Sequence, residues 1–116
     1  MDDLNRTFIL GNLTRDPELR YTEEGKAYTE LIIAANKRWK NHGGESRDSV
    51  EFIKVTCWSA LAENCANSIH KGDRIMAVGH VRYREKKEEE RFSGISLIAD
   101  AVAASMEFNQ LVLANG

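Results

Sequence analysis

Apolar and polar side chains alternate most regularly over residues 50–58, VEFIKVTCW. β-Branched and aromatic residues favour a strand, in which successive side chains point to opposite faces. The face suited to a hydrophobic core contains Ile53, Val55 and Cys57. The opposite face contains Phe52, Lys54, Thr56 and Trp58. This second face either stacks and neutralises an unpaired nucleic acid strand, or packs its rings under loops or against another subunit. The strand alone leaves both interpretations open.

Similar patterns predict four more strands. They cover residues 8–13, 27–36, 74–84 and a stretch that begins at residue 91, with a short extended piece at residues 19–22. In the first strand, Gly11 is predicted to form a bulge or bend that curls the sheet. Both faces of residues 27–36 are apolar, which predicts cover on both sides, one of them from a partner subunit. Residues 102–116 are apolar, but their pattern does not distinguish a strand from a tail or a short helix.

The apolar residues after the strand predicted at residues 50–58 have a helical spacing. Apolar residues recur at every fourth position between residues 61 and 69, which predicts a helix over residues 60–70. Ser59 is the predicted N-cap, and Gly72 the predicted C′ residue after the helix. Residues 41–47 lack periodicity and contain two adjacent glycines, so we predict a mobile loop there.

The order of elements predicts the fold. Three strands, one helix and two strands suit an all-β protein, a five-stranded OB-fold barrel with one helix between strands three and four. The 116 residues include one proline and 42% apolar residues, so we expect a single domain over residues 1–116. Barrels of this type present their second and third strands to single-stranded nucleic acid.

The charged residues support nucleic-acid binding only at particular places along the chain. The net charge of −2 argues against a uniformly basic surface, so binding to a polyanion would need a local concentration of cations. One such group surrounds Trp39 and contains Lys37, Arg38 and Lys40. Trp39 either packs along the lysine stems or stacks bases in a positively charged groove, and we favour stacking. A second group, on one face of the fourth strand, contains His80, Arg82 and Arg84.

The sequence offers no competing chemistry. Cys57 and Cys65 do not fit the usual zinc patterns and are expected to be buried free thiols in a reducing compartment. The three histidines lack metal-ligand spacing, and Gly43-Gly44 lacks the Lys-Ser/Thr of a phosphate loop. We therefore expect no catalytic residue, metal or cofactor. No stretch approaches a membrane span, and the acidic start is unlike a secretory signal. These features predict a cytoplasmic, nucleoid-associated protein with no membrane partner.

Five segments resemble, in order and spacing, the bacterial single-stranded DNA-binding proteins (SSB). They are ILGNLTRDPELRYT at residues 9–22, AANKRWK at 34–40, EFIKVTCW at 51–58, LAEN at 61–64 and KGDR at 71–74. The resemblance covers about residues 5–102. It implies an OB-fold, usually assembled as a homotetramer, that wraps single-stranded DNA without sequence preference. It also implies that the family's stacking residues correspond to Trp39, Phe52 and Trp58.

The sequence departs from this family in two places. Many members have a tryptophan between strands four and five, where this chain has Lys86 within the Glu/Lys run at residues 85–90. One stacking platform is therefore missing. Members also commonly continue into a Gly/Pro/Gln-rich linker and an acidic tip, whereas this chain ends LVLANG. We therefore do not expect it to recruit partner proteins through an acidic tail.

Together these features predict a non-enzymatic single-stranded DNA-binding protein that acts in replication, repair or recombination. Trp39, Phe52 and Trp58 would stack bases, and cations would meet phosphates. The predicted phosphate-binding residues are Arg15, Arg20, Lys37, Arg38, Lys40, Lys54, Arg82 and Arg84. The first two depend mainly on the resemblance. The alternatives are an SSB-like dimeric accessory protein of the primosome type and an OB module for protein interaction. A hydrolytic function would need a ligand set that the sequence does not show.

Overall fold

The computed structural model describes residues 2–83 and 95–110. Its elements, in chain order, are β1 (Thr7–Leu13), β2 (Arg20–Tyr21), β3 (Ala27–Lys40), β4 (Ser46–Trp58), α1 (Ser59–Ser68), β5 (Arg74–Tyr83) and β6 (Ile95–Ala104). The predictions for Arg84, Lys86 and the charged run at residues 85–90, and for the end of the chain at residues 111–116, lie outside the described residues.

Five of these strands form a closed barrel. β1 pairs with β5, β5 with β6 and β4 with β3, all antiparallel, and β6 meets β4 in parallel at Thr56 and Ile98. The barrel closes where β3 returns to the end of β1. β2 adds two residue pairs beside the start of β3, and α1 lies between β4 and β5 in the chain. The predicted all-β barrel with one helix between its third and fourth long strands is confirmed.

The barrel interior is built from alternate residues of its strands. In β3, Leu31 and Ile33 are fully buried, and in β4 Val55 and Cys57 are buried in the same cluster. α1 contributes Ala62, which is also fully buried. The alternation predicted for residues 50–58 is therefore confirmed, because its apolar face lines the core and its second face points away from it.

Two glycines permit the close approach of strands around the barrel. A Cβ atom on Gly11 would collide with the carbonyl oxygen of Ala34, and one on Gly79 would collide with that of Ile98. Any larger residue would force these strands apart. The register of β1 against β5 is continuous through Gly11, so no bulge lies there, and the alternative prediction of a bend at Gly11 stays a prediction. The register shift lies between Val78 and Gly79, opposite β6.

β3 and β4 extend beyond the barrel as a two-stranded ribbon. Their register is uninterrupted over thirteen residue pairs, and in the described part of the chain residues 35–40 and 46–51 pair only with each other. We call these two segments the β3–β4 ribbon. Residues 41–45 join them in a turn, where Asn41 Oδ1 accepts hydrogen bonds from two backbone N–H groups at 2.9 and 3.0 Å. The loop predicted at residues 41–47 is therefore shorter than expected and ordered by its own hydrogen bonds.

α1 differs from the predicted helix at both ends. The N-cap is Trp58, without a side-chain capping bond, and Ser59 has a positive φ of 59°. The predicted capping role of Ser59 is therefore wrong. The helix ends at Ser68, and Gly72 lies in the following turn, where its N–H donates to the Leu13 carbonyl oxygen at 2.8 Å. The predicted C′ role of Gly72 is also wrong.

Apolar side chains lie outside the barrel as well as inside it. One outer surface, which we call the β1–β5 apolar face, contains Phe8, Leu10, Met76 and Val78. Phe8 is 69% exposed, and the register places it opposite Val78, with Leu10 opposite Met76. The second side of β3, predicted to be covered by a partner subunit, is half-buried at alternate residues from Tyr28 to Ala34.

Candidate nucleic-acid interface

The outward side of β3 and β4 brings together two of the three predicted stacking residues. Since odd-numbered residues of both strands are buried in the barrel, the even-numbered residues point away from the core. Phe52 is 66% exposed and Trp58 is half-buried. We call this surface the outer face. Its members are Tyr28, Glu30, Ile32, Ala34, Asn36, Arg38, Lys40, Ser46, Asp48, Val50, Phe52, Lys54, Thr56 and Trp58.

Cations lie along the same surface. Lys54 is between Phe52 and Trp58 on β4, while Arg38 and Lys40 continue the outer face along the β3–β4 ribbon. These three cations are exposed. Their placement beside outward-pointing aromatic rings produces a surface of stacking platforms separated by positive charge, the arrangement that single-stranded nucleic acid needs.

Trp39 does not join this group. It pairs with Arg47 in the uninterrupted ladder, so it points to the side opposite Phe52 and Trp58. This is the side that is buried within the barrel, but the β3–β4 ribbon has left the barrel at this point and Trp39 is 45% exposed. Lys37 shares the side of Trp39. The predicted aromatic set is therefore exposed but divided between two sides of one ribbon.

Several of the predicted cations already have carboxylate partners. Lys54 Nζ lies 3.2 Å from Glu30 Oε2, and Arg38 Nε lies 3.0 Å from Asp48 Oδ1. Every one of these side chains except that of Glu30 is more than half exposed. Ion pairs in such positions contribute about 0–1 kcal/mol to stability, so a phosphate group can replace the carboxylate at little cost.

The remaining predicted cations lie around this surface. Arg20 is opposite Tyr28 in the β2–β3 pairing and donates to Glu18 at 2.7 Å. The hydrogen bond to Glu18 and its negative charge raise the pKa of Arg20. Arg15 is exposed in the segment after β1, and Arg82 is exposed on β5, two strands from β4.

Two residues beside Trp58 were not predicted from the sequence. The Tyr28 and Trp58 rings are in contact, with centroids 5.3 Å apart and planes inclined by 36°. Lys26 Nζ lies 4.6 Å from the centroid of the Trp58 ring. Tyr28 and Trp58 are thirty residues apart in the chain, so only the register of β3 against β4 brings them together.

The two thiols lie in the core behind this surface. Cys57 and Cys65 are both free and buried, as predicted. A hydrogen bond with Cys65, together with burial, raises the pKa of the Cys57 thiol. Among the described residues, no group of three or more His, Cys, Asp or Glu side chains is placed to hold a metal ion. No helix in the same part of the chain is long and apolar enough to cross a membrane.

Comparisons with known proteins identify the family of this chain. The sequence model of the "Single-strand binding protein family" matches residues 4–108. A single-stranded DNA-binding protein of Lactiplantibacillus plantarum is 40% identical over 87 residues, which are 75% of this chain and 42% of that protein. One from Aquifex aeolicus is 34% identical over 100 residues, covering 85% of this chain and 68% of the relative.

Solved structures of single-stranded DNA binding proteins have a similar fold. The crystal structure of wild-type single-stranded DNA binding protein from Thermus aquaticus matches 90% of this chain with a TM-score of 0.77 at 25% identity. This chain covers 52% of that structure, and 42% of the Lactiplantibacillus protein, so it spans about half the length of these relatives. The resemblance inferred from the sequence motifs is confirmed: the chain belongs to the Single-strand binding protein family.

Proposed function

We propose that this protein binds single-stranded DNA without sequence preference and is not an enzyme. The observation that carries this proposal is the outer face, where Phe52 and Trp58 point away from the core with Lys54 between them. Rings offer every base a stacking surface, and cations neutralise phosphates without reading sequence. The names of the relatives from Lactiplantibacillus and Aquifex support the same ligand.

The two aromatic residues of the outer face receive different nucleotides. Phe52 and Trp58 are six positions apart, about 20 Å at the usual rise of a strand. Lys54 lies between them and meets the intervening phosphates once it leaves Glu30. Arg38 and Lys40 continue the charged surface along the β3–β4 ribbon. The bound strand therefore runs along β4 from Trp58 toward the ribbon.

A DNA strand that contacts both Trp39 and Phe52 must pass from one side of the β3–β4 ribbon to the other. Because Trp39 and Phe52 point to opposite sides of the β3–β4 ribbon, a strand that contacts both passes over a ribbon edge. Lys37 lies on the side of Trp39 and continues the phosphate contacts there. Such a path wraps the protein instead of lying flat on it, which shields the strand from nucleases and pairing. This shielding would serve replication, recombination and repair.

The functional unit is a homotetramer in this proposal. The β1–β5 apolar face exposes Phe8 at 69%, Leu10 at 39% and Met76 at 38%, a patch that a second copy of the chain would bury. Sedimentation in the analytical ultracentrifuge tests this assignment. A tetramer is expected. A dimer would overturn it and favour the accessory protein of the primosome type.

A fluorescence titration tests the proposed function. The protein is titrated with oligo(dT) of several lengths at two salt concentrations while tryptophan emission is recorded. Stacking quenches the emission, and the affinity falls with salt by roughly 0.7 logarithmic units per phosphate contact and decade of salt. Unchanged emission and no binding at low salt would refute the proposal and favour a protein-interaction module.

A further inference from the structure

Trp58 is contacted by two side chains of the outer face and its border. Tyr28 lies directly across the ladder, with its ring centroid 5.3 Å from that of Trp58. Lys26, just before β3, places its ammonium group 4.6 Å from the centroid of the Trp58 ring. Both rings are half-buried, so each retains a solvent-exposed part. Two adjacent rings and one cation therefore meet at one end of the outer face.

The Lys26 side chain can move without disturbing the strand. Its backbone is fixed on both sides by Thr22, whose Oγ1 accepts from the Lys26 N–H at 3.1 Å and whose N–H donates to the Lys26 carbonyl oxygen at 2.9 Å. The side chain itself is exposed. The ammonium group can therefore change position while the Lys26 backbone stays in place.

A nucleotide matches what this cluster offers. An exposed contact between an ammonium group and a ring is weaker than the stacking of a base on the same ring. A base that reaches Trp58 therefore displaces Lys26 from the ring. The released ammonium would then be free to meet the phosphate of that nucleotide and replace a bound counterion there.

We propose that Tyr28, Trp58 and Lys26 form a single nucleotide subsite, the Trp58 subsite. A base stacks on the adjacent rings of Trp58 and Tyr28, and Lys26 moves from the Trp58 ring to the adjoining phosphate. This inference depends on the proposed binding of single-stranded DNA and adds two residues to it. It predicts that Tyr28 and Lys26 contribute to affinity in different ways, the first through stacking and the second through charge.

The experiment uses Trp58 as its own reporter. The chain has two tryptophans, so Trp39→Phe leaves Trp58 as the single tryptophan, whose emission is excited apart from that of the tyrosines. This parent is titrated with oligo(dT) at several salt concentrations. The substitutions Lys26→Ala, Lys26→Arg, Tyr28→Leu and Tyr28→Phe are then compared with it. Tyr21→Leu is the matched control, because Tyr21 is an exposed tyrosine on β2 that points to the side opposite Tyr28.

Each substitution has its own expected result. Lys26→Ala should reduce the slope of log affinity against log salt by about 0.7, the loss of one phosphate contact, and Lys26→Arg should restore it. Tyr28→Leu should weaken binding about five- to tenfold and reduce the quenching of Trp58 at saturation, whereas Tyr28→Phe should behave as the parent. Tyr21→Leu should leave both quantities unchanged.

The outcomes separate this inference from the function on which it depends. If the parent binds with Trp58 quenched, but Lys26→Ala keeps the full salt slope and Tyr28→Leu matches Tyr21→Leu, the Trp58 subsite is refuted and the proposed function stands. If the protein with both tryptophans does not bind oligo(dT), the proposed function fails first. Should Tyr28→Leu not fold, the exposed Lys26 variants decide the question, and an unaltered salt slope overturns the subsite.

Discussion

Trp39 and Phe52 lie on opposite sides of the same two-stranded ribbon. Trp39 is paired with Arg47, and Phe52 with Ala34, so five positions of an uninterrupted ladder separate them. An odd separation along a strand places two side chains on opposite faces. The two rings therefore do not face each other, and under the proposed function they would act as independent contacts for a bound strand.

Truncation of either ring should weaken binding by a similar, additive amount. Trp39→Ala and Phe52→Ala each remove one stacking platform, worth about 1–3 kcal/mol per base. The double variant should lose the sum to within about 0.5 kcal/mol, since the two sites are separate. Anisotropy of labelled oligo(dT) at fixed salt measures all three. Met106→Ala is the control, because Met106 is 68% exposed and lies after β6. Full affinity in Phe52→Ala would contradict the assignment of the outer face.

Removal of the carboxylates on the outer face should strengthen binding. Glu30 and Asp48 form ion pairs with Lys54 and Arg38, so under the proposed function they would compete with phosphate for these cations. Glu30→Gln and Asp48→Asn should each raise the affinity for oligo(dT) a few-fold at low salt, because exposed ion pairs are worth about 0–1 kcal/mol. The gain should shrink as salt increases, because salt screens the repulsion between carboxylate and phosphate.

The matched control is Glu107→Gln. Glu107 forms an ion pair of 2.8 Å with Arg74 on β5, away from the outer face. Its neutralisation adds the same charge to the protein, so it tests whether net charge alone explains the effect. An equal gain of affinity in Glu107→Gln would show that Glu30 and Asp48 do not compete with phosphate locally.

Glycine at position 59 should stabilise the protein. Ser59 adopts a φ of 59°, a conformation that costs a residue with a Cβ atom about 1–2 kcal/mol and costs glycine much less. Ser59→Gly should therefore raise the free energy of unfolding by about 1 kcal/mol, measured by urea denaturation. Ser68→Gly, at the other end of α1, should lower it, because glycine is a poor helix former. A loss of stability in Ser59→Gly would contradict the assigned backbone conformation.

The buried thiols should resist alkylation in the native state. Hydrogen bonding with Cys65 and burial raise the pKa of Cys57, so less thiolate is present at a given pH. Iodoacetamide should label Cys57 far more slowly in the folded protein than in urea, because the thiol is buried in the native state. Peptide mass spectrometry measures both rates. Equal labelling of Cys57 in the folded and unfolded chains would contradict its burial.

The barrel was predictable because strands with one buried side alternate apolar and polar residues. The alternation over residues 50–58 reports a strand with one side in the core, and that strand is β4. The β3–β4 ribbon has no buried side, so residues 37–40 and 46–49 show no apolar alternation. Their strand structure comes from pairing with each other, which a single stretch of sequence does not reveal.

The candidate site was predictable in composition but not in arrangement. The sequence identifies Trp39, Phe52 and Trp58 as exposed aromatic residues near cations, and none of the three is sealed in the core. The side on which Trp39 lies depends on how far the β3–β4 ladder continues. The contact between Tyr28 and Trp58 depends on the register of two strands, which no local pattern fixes.

Among the residues that the structure describes, no strand pairs with the outer edges of the β3–β4 ribbon, which affects the behaviour of the protein at high concentration. Unpaired strand edges are templates on which other chains can add strands and aggregate. The charged residues of this ribbon are Lys37, Arg38, Lys40, Arg47, Asp48 and Glu51. Such charges oppose edge-to-edge association, so Lys37, Arg38 and Lys40, which would meet phosphates, also keep the DNA-free molecules dispersed. Replacing these three cations together would lower solubility along with affinity.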